Sequence, residues 1–428
     1  MDKVAAVKGT RDFYPEQMAV RNWIFDAWRA ASLRNGFEEY DAPIFEYLQL
    51  YTQKSGEEIA AQLFSLTDRG GRELAIRPEI TPTLARMVNQ KINALARPIK
   101  WFSIPRLCRA ERPQKGRLRE FFQWNVDIIG SDEVLADAEC IYTAVDFLRS
   151  VGLKDNDIVV KLSSRSMLAA LLLSQGFAPK QLDTVYVLLD KRAKVPEDKF
   201  GEMAAEQIPD AALRDKLLTL QAVQSLEEVE KLCNSDQAQT ALSQLSDLFN
   251  CLNTMGIAAF CQFDITIVRG LAYYTGPVYE IFDCSAELRA LAGGGRYDNL
   301  LSGLGGSQVP ATGFGMGDVV LQILLEEKGL IASQNNKLDA FVVATDKSLF
   351  DQSLQLTGAL RQKGFKVDLS YKQSGLGKQL KQPAAQRAAS VLILGEETLN
   401  ENKVTIKNMA SGEQKTVSLD TLLEKGLF

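Results

Sequence analysis

The sequence predicts an α+β chain: a β-rich body interrupted by a helical insertion and followed by a smaller α/β domain. Three patterns predict it. Two runs of strand character, Ile99–Ile104 and Glu120–Gly130, flank a charged segment and read as a hairpin. Between Ser164 and Met255 the pattern turns helical, through MLAALLLSQGF, VYVLLDKRAKV and ALSQLSDLFNCLNTMG. Beyond a polar stretch at Glu326–Lys337, strand and helix alternate.

The elements follow in order. Pro15 suits a helix start, and Val20, Ile24, Ala27, Trp28 and Ala31 recur at helical spacing until Asn35-Gly36 stops the pattern. A strand over FEEY follows, then DAPIFEY, where Pro43 fits a sheet edge better than its centre. After the helical block, strands are expected to resume at ITIVRGLAYYTGPVYEIF. AGGGRYDNL then reads as a tight turn or a close backbone approach, and it leads into ATGFGMGDVVLQILL. Past the linker, FVVAT, KVDLS and VLILG alternate with helices over SLFDQSLQLTGALRQKG and LGKQLKQPAAQRA, which argues a small parallel α/β domain.

Composition bounds the chemistry. At 428 residues, two or three domains are expected. A net charge of −5 with 46% apolar residues suits a globular chain and leaves room for a local basic surface. The six cysteines are scattered, so neither a zinc site nor a disulfide framework is suggested. No apolar run reaches bilayer length and the N-terminus lacks a signal-peptide core, so the cytoplasm is expected. The chain holds no histidine, which excludes histidine triads and histidine-ligated zinc.

The densest constellation is PRLCRAERPQKGRLREFFQWNVD, where Arg109, Arg112, Lys115, Arg117 and Arg119 outnumber Glu111 and Glu120. Guanidinium forks match phosphate oxygens bidentately, so the loop suits a polyphosphate. On the strand after it, a period of two groups Gln123, Asn125 and Asp127 on one face, with Phe122, Trp124, Val126 and Ile128 on the other. A solvated face is the ordinary meaning of such a polar row, and the adjoining arginines favour a binding floor. IVRGLAYYTGPVYEI could bring Arg269, Tyr273 and Tyr274 to one pocket, and in RPEITPTLAR, Glu79 and Thr81 could cap a helix or bind a substrate amine. Neither dinucleotide nor P-loop glycine spacing is present.

Together these segments resemble the class II aminoacyl-tRNA synthetases, and specifically the histidyl-tRNA synthetase family, from KGTRDFYP to the C-terminus. RAERPQKGRLREF is similar to class II motif 2, and RGLAYYTG and GGGRYD to two motifs peculiar to the histidine enzymes. The resemblance implies a class II antiparallel sheet flanked by helices, with the catalytic domain in two parts (1–163 and 256–328), a helical insertion domain (164–255) and a C-terminal α/β anticodon-binding domain (338–428). It implies a ligase that activates histidine with ATP and Mg²⁺ and transfers it to tRNA(His), working as a homodimer whose interface includes the segment through Pro43. Arg109 and Arg269 would be catalytic, and Arg109, Glu111 and Arg117 would hold ATP. Glu79, Thr81, Gln123, Asp127, Arg269, Tyr273 and Tyr274 would bind histidine. Reading both imidazole nitrogens can discriminate by roughly 10⁴- to 10⁵-fold, so no editing domain is required. Lys372, Lys378, Lys381 and Arg387 would contact tRNA phosphates.

The chain departs from the family pattern at Ala272, where an acidic residue is usual, at Phe122, where a histidine is common, and at Val320, where class II enzymes carry an adenine-packing arginine. A second reading of the resemblance is a histidine-sensing regulatory subunit of ATP phosphoribosyltransferase, and a third is an RNA-binding regulatory module.

Overall fold

The computed structural model describes residues 4–52, 62–192, 195–268, 273–331, 338–371 and 376–427. It divides into two compact units, Met1–Phe13 with Arg21–Ala332, and Tyr14–Val20 with Ser333–Phe428. Arg269 and Lys372, and the strand expected across 269–272, lie outside the described residues.

The first unit is built on a sheet in which nine described strands take part. In chain order they are β1 (Glu38–Glu39), then, after β2 (Phe45–Tyr47), β3 (Phe64–Thr67) and β4 (Glu73–Ile76) of a separate small sheet, β5 (Ile99–Ser103), β6 (Arg106–Cys108), β7 (Glu120–Ile129), β8 (Ile158–Ser164), β9 (Cys261–Phe263), β10 (Pro277–Asp283), β11 (Ala292–Arg296) and β12 (Ala311–Gly317). Their order is β1-β5-β7-β12-β11-β10-β8-β9, with β6 also paired to β7. The pairings β1–β5 and β8–β9 at the two ends are parallel. The interior pairings are antiparallel, as the sequence leads one to expect.

One face of the sheet centre is aromatic. Trp124 of β7 stacks on Trp28 of helix α1 (Pro15–Arg34) at 6.0 Å and meets Phe147 and Phe314 edge-on. Its indole N–H donates to Ser32 Oγ at 2.9 Å, so the polar tip of a fully buried ring is satisfied. Phe147 belongs to a second helix, Val134–Ser150, on the same face. The expected apolar row of β7 is therefore core.

Elsewhere the structure corrects the sequence. The residues before Arg269 form a turn, because Asp264 accepts from Thr266 N at 3.0 Å and its carbonyl accepts from Ile267 N. GGGR is a central strand and no tight turn. The absence of side chains serves close approach: a Cβ on Gly294 would stand 2.3 Å from Gly313 O and 2.7 Å from Tyr279 Cζ. Thr81 is the first residue of its helix, whose N-cap is Ile80 with no side-chain cap, so neither Glu79 nor Thr81 caps it. The charged loop is preceded by β6, a short strand the periodicity is too brief to reveal.

Between β8 and β9 the described chain is helical, from Arg165–Ser174 to the long amphipathic Asp236–Thr254. Serines or aspartates cap several of these helices: Ser164, Asp210, Ser225 and Ser235 each accept from the first turn. All six cysteines are free, Cys140 and Cys233 buried and Cys284 exposed.

The second unit holds five strands, β13 (Ala340–Ala344), β14 (Val367–Leu369), β15 (Ser390–Leu394), β16 (Lys403–Asn408) and β17 (Gln414–Ser418), in the order β14-β13-β15-β16-β17. The first three are parallel as expected, but β16 and β17 add an antiparallel hairpin, so the sheet is mixed. The expected second helix is two short ones, Leu376–Gln379 and Lys381–Ala385, separated at Leu380. Among the described residues no helix is long and apolar enough to cross a membrane.

Candidate active site

The polar face of β7 is not solvated: Asn125 and Asp127 are 4% and 3% exposed. What lies against it explains how carboxylate and amide groups fit inside a protein. In the β7–β12 register Gly313 pairs with Asp127, Gly315 with Asn125 and Gly317 with Gln123. A Cβ on Gly313 would fall 2.2 Å from Asp127 Oδ1, and one on Gly315 would fall 2.7 Å from the Gln123 carboxamide. The alternation G-x-G-x-G thus clears the space that Gln123 and Asp127 occupy, while Phe314 and Met316 fill the aromatic core behind.

A tyrosine cluster completes this end. Tyr297, from GGGRYD, donates its phenol to Asp127 Oδ1 at 2.5 Å, and Tyr273 donates to Glu79 Oε2 at 3.0 Å. The Tyr273 ring meets Tyr297 edge-on at 5.9 Å and tilts against Tyr274 at 5.1 Å. Tyr274 is buried in the apolar core beside Val278 and Tyr297. The alternation that aims Tyr297 inward sends Arg296 outward, to Asp137 at 2.6 Å and the carbonyls of Ser131 and Glu133. Breaking such a buried pair typically costs ~3–5 kcal/mol, so this anchor holds Tyr297 in place.

Asp127 Oδ2 is buried and has no hydrogen-bond partner among the described residues. Burial raises its pKa from 3.8 to about 7, against the Tyr297 hydrogen bond that pulls it down. A carboxylate held near neutrality with one oxygen to spare suits a ligand N–H.

Beside this cluster opens a cavity of ≈ 940 Å³ whose lining includes Arg109, Glu111, Arg117, Phe121, Gln123 and Val320. The arm that carries the first three folds back through Gly116, whose φ of +74° suits glycine, and Gln114 and Arg117 bridge its tip. Arg109 Nε donates to Pro78 O at 3.0 Å, the guanidinium lies over Phe121 at 5.1 Å, and Arg117 Nε pairs with Glu111 Oε2. Burial pushes Arg109 below its usual guanidinium value, and the charges of Glu79 and Glu111 pull it back. A desolvated cation so held attracts an anion more strongly than one in water.

The structure therefore brings Arg109, Glu111, Arg117 and Gln123 to one cavity, with Glu79, Asp127, Tyr273 and Tyr274 linked in the adjoining cluster. Thr81 is half-buried at the helix start next to Glu79. Sequence reasoning missed Tyr297 and Phe121. The period of two that groups Gln123 with Asp127 also includes Phe121, and the single-residue step from Arg296 would have turned Tyr297 to the other face. Lys378, Lys381 and Arg387 are exposed in the second unit.

An arginine arm over a polar, glycine-backed antiparallel sheet defines a class II aminoacyl-tRNA synthetase. A histidyl-tRNA synthetase family model matches residues 9–318, and an anticodon binding domain model matches 339–426. The chain is 41% identical to the histidine–tRNA ligase, chloroplastic/mitochondrial, of Arabidopsis thaliana, over 97% of this chain and 85% of that one. It is also 41% identical to the histidine–tRNA ligase of Opitutus terrae, over 96% and 95%. The solved histidyl-tRNA synthetase of Nostoc sp. PCC 7120 has the same fold, with a TM-score of 0.83 over 99% of both chains at 22% identity. A Bacillus halodurans structure described as an ATP phosphoribosyltransferase regulatory subunit/histidyl-tRNA synthetase has a TM-score of 0.76 over 91% of this chain and 98% of its own, at 24% identity. The chain belongs to the histidyl-tRNA synthetase family.

Because the folded pKa of Asp127 lies above its ordinary value, its ionisation costs stability, and that cost grows as pH rises from 3.8 to about 7 and then levels off. Asp127→Asn removes the titration. Denaturant unfolding across this range is expected to find the variant gaining on the wild type with rising pH; a constant difference would refute the assignment.

Proposed function

We propose that the cavity and its tyrosine cluster activate histidine in this histidine–tRNA ligase, whose substrates are ATP, histidine and tRNA. The observation that carries the site assignment is that Arg109, Glu111, Arg117 and Gln123 line one cavity beside the linked pairs Glu79–Tyr273 and Asp127–Tyr297.

Arg109 would hold the α-phosphate, with Glu111 and Arg117 on the remainder of the triphosphate, and Phe121 would offer a ring face to adenine. Glu79, Thr81 and Gln123 would take the substrate amine, with Tyr273 orienting Glu79. Asp127 and Tyr274 would meet the imidazole nitrogens. Arg269 would engage both the histidine carboxylate and the α-phosphate, so that in-line attack proceeds with its charge stabilised and without a protein base. Mg²⁺ would be carried by ATP: among the described residues no group of three or more Asp, Glu or Cys side chains is poised to hold a metal. Glu111, on the arm itself, would face it, and the ion would neutralise phosphate charge.

We divide the chain into a catalytic domain of 1–163 and 256–328, an insertion domain of 164–255 and an anticodon-binding domain of 338–428. Lys372, Lys378, Lys381 and Arg387 would contact tRNA phosphates, and tRNA(His) would be the acceptor. The exposure of Ile44, Phe45, Tyr47 and Leu66, at 42%, 53%, 56% and 45%, supports a homodimer that covers the small sheet. The plain histidine–tRNA ligases of Opitutus and Leptospira biflexa support a cytoplasmic location. A regulatory-subunit reading has less behind it, because the arm is complete and the anticodon-binding match is present.

Histidine-dependent exchange of pyrophosphate into ATP is expected, abolished by Arg269→Ala and by Arg109→Ala; histidine binding without exchange would favour the regulatory reading. Sedimentation of the wild type should give a dimer, and Phe45→Glu with Tyr47→Glu should give a monomer. A monomeric wild type would remove the homodimer proposal.

A further inference from the structure

We propose that Arg289 is a third guanidinium of the nucleotide site, engaging the phosphates of ATP beyond the α-phosphate. This rests on the reading of the arginine cavity given above.

Arg289 belongs to none of the motifs that define the family resemblance. It lies in the connection between β10 and β11, and its side chain lines the same cavity as Arg109, Glu111 and Arg117. From there it reaches the tip of the arm, where Nη2 donates to Gln114 Oε1 at 3.3 Å. The arm and this connection are thus two walls of one cleft, each presenting arginine.

The direction of Arg289 is built into the backbone. Asp283, at the end of β10 and 3% exposed, accepts from Glu287 N at 3.2 Å, from Leu288 N at 3.1 Å and from the Ser285 hydroxyl. Ala286 takes a φ of +55°, a conformation a residue with a side chain adopts at a cost, and Leu291 N closes the connection on Ile281 O at 2.8 Å. A buried carboxylate therefore fixes the four-residue turn that ends just before Arg289. Such a clamp on an otherwise exposed loop is what a positioned side chain requires.

Charge points the same way. Partial burial, joined by repulsion from Arg117, pushes Arg289 below the usual guanidinium value, opposed by Glu111. Glu111 is already engaged by Arg117. At the arm tip Arg117 and Arg289 therefore share one carboxylate and can take an outer phosphate between them, while the acids Asp155, Asp190, Asp264 and Glu280 also line the cavity. On the other side of the arm tip, Val320 is 7% exposed, and its Cγ2 would lie 3.1 Å from a Cβ on Gly116. That wall is apolar and closed by the arm, so the guanidinium of Arg289 comes from the β10–β11 connection.

The test is pyrophosphate exchange with Arg289→Ala and Arg289→Lys beside Arg109→Ala. Removing one charge-assisted contact should raise the KM for ATP about ten- to a hundredfold, leave the KM for histidine nearly unchanged, and be partly rescued by lysine. Equilibrium binding of Arg289→Ala should weaken for ATP and not for AMP, which lacks the outer phosphates. An unaltered KM for ATP, or an equal loss for AMP, would overturn the proposal while leaving the cavity reading intact. Exchange that survives in Arg109→Ala would overturn the cavity reading itself.

Discussion

Asp127 is a carboxylate inside the sheet, and moving an ion out of water costs several kcal/mol unless its oxygens are met. Only one of them is, by Tyr297. The fold can hold such a group because β12 has glycines beside it on that face: Gly313 and Gly315 give Asp127 and Gln123 their room, and the same strand sends Phe314 and Met316 into the aromatic core. The proposed recognition and the stability of the sheet would therefore be set by one register. A one-residue slip between β7 and β12 would drive phenylalanine and methionine into the polar face and expose the core row.

The two halves of the site use opposite means. The arginine arm is a loop and owes its shape to backbone closure at Gly116 and to partners such as Pro78 O for Arg109. The tyrosine cluster is rigid because its rings pack on one another and the Tyr273 and Tyr297 phenols are hydrogen-bonded, and Arg296 pins the strand behind it through Asp137. The clamped connection that carries Arg289 is intermediate, a loop held by one buried carboxylate. In the proposed site a flexible nucleotide would meet a loop, while the ring to be discriminated from other amino acids would meet the sheet.

Much of this was legible in the residues. Period-two alternation in QWNVD separated core from site because a strand has no other way to arrange side chains, and helical spacing around Trp28 found the first helix. Arginine density marked the arm that lines the cavity. Other features depended on partners distant in sequence. Nothing in AGGGRYDNL distinguishes a turn from a strand that needs bare backbone until Tyr279 and Gly313 are seen against Gly294. The turn at Asp264 competes with a β-branched run through side-chain hydrogen bonds that propensity ignores. Tyr297 and Arg289 carry no local signature, since one is defined by Asp127, 170 residues away, and the other by Gln114, 175 residues away.

The central claim is that the buried polar face of β7 reads an imidazole ring. Calorimetric titration of the protein with histidine, 1-methylhistidine, 3-methylhistidine and thienylalanine tests it directly, because each analogue removes or blocks ring-nitrogen contacts while keeping the amine and carboxylate. The account predicts measurable binding of histidine and a loss of at least about a hundredfold for every analogue, from buried polar groups left unpaired. Comparable affinity for thienylalanine and histidine would contradict it.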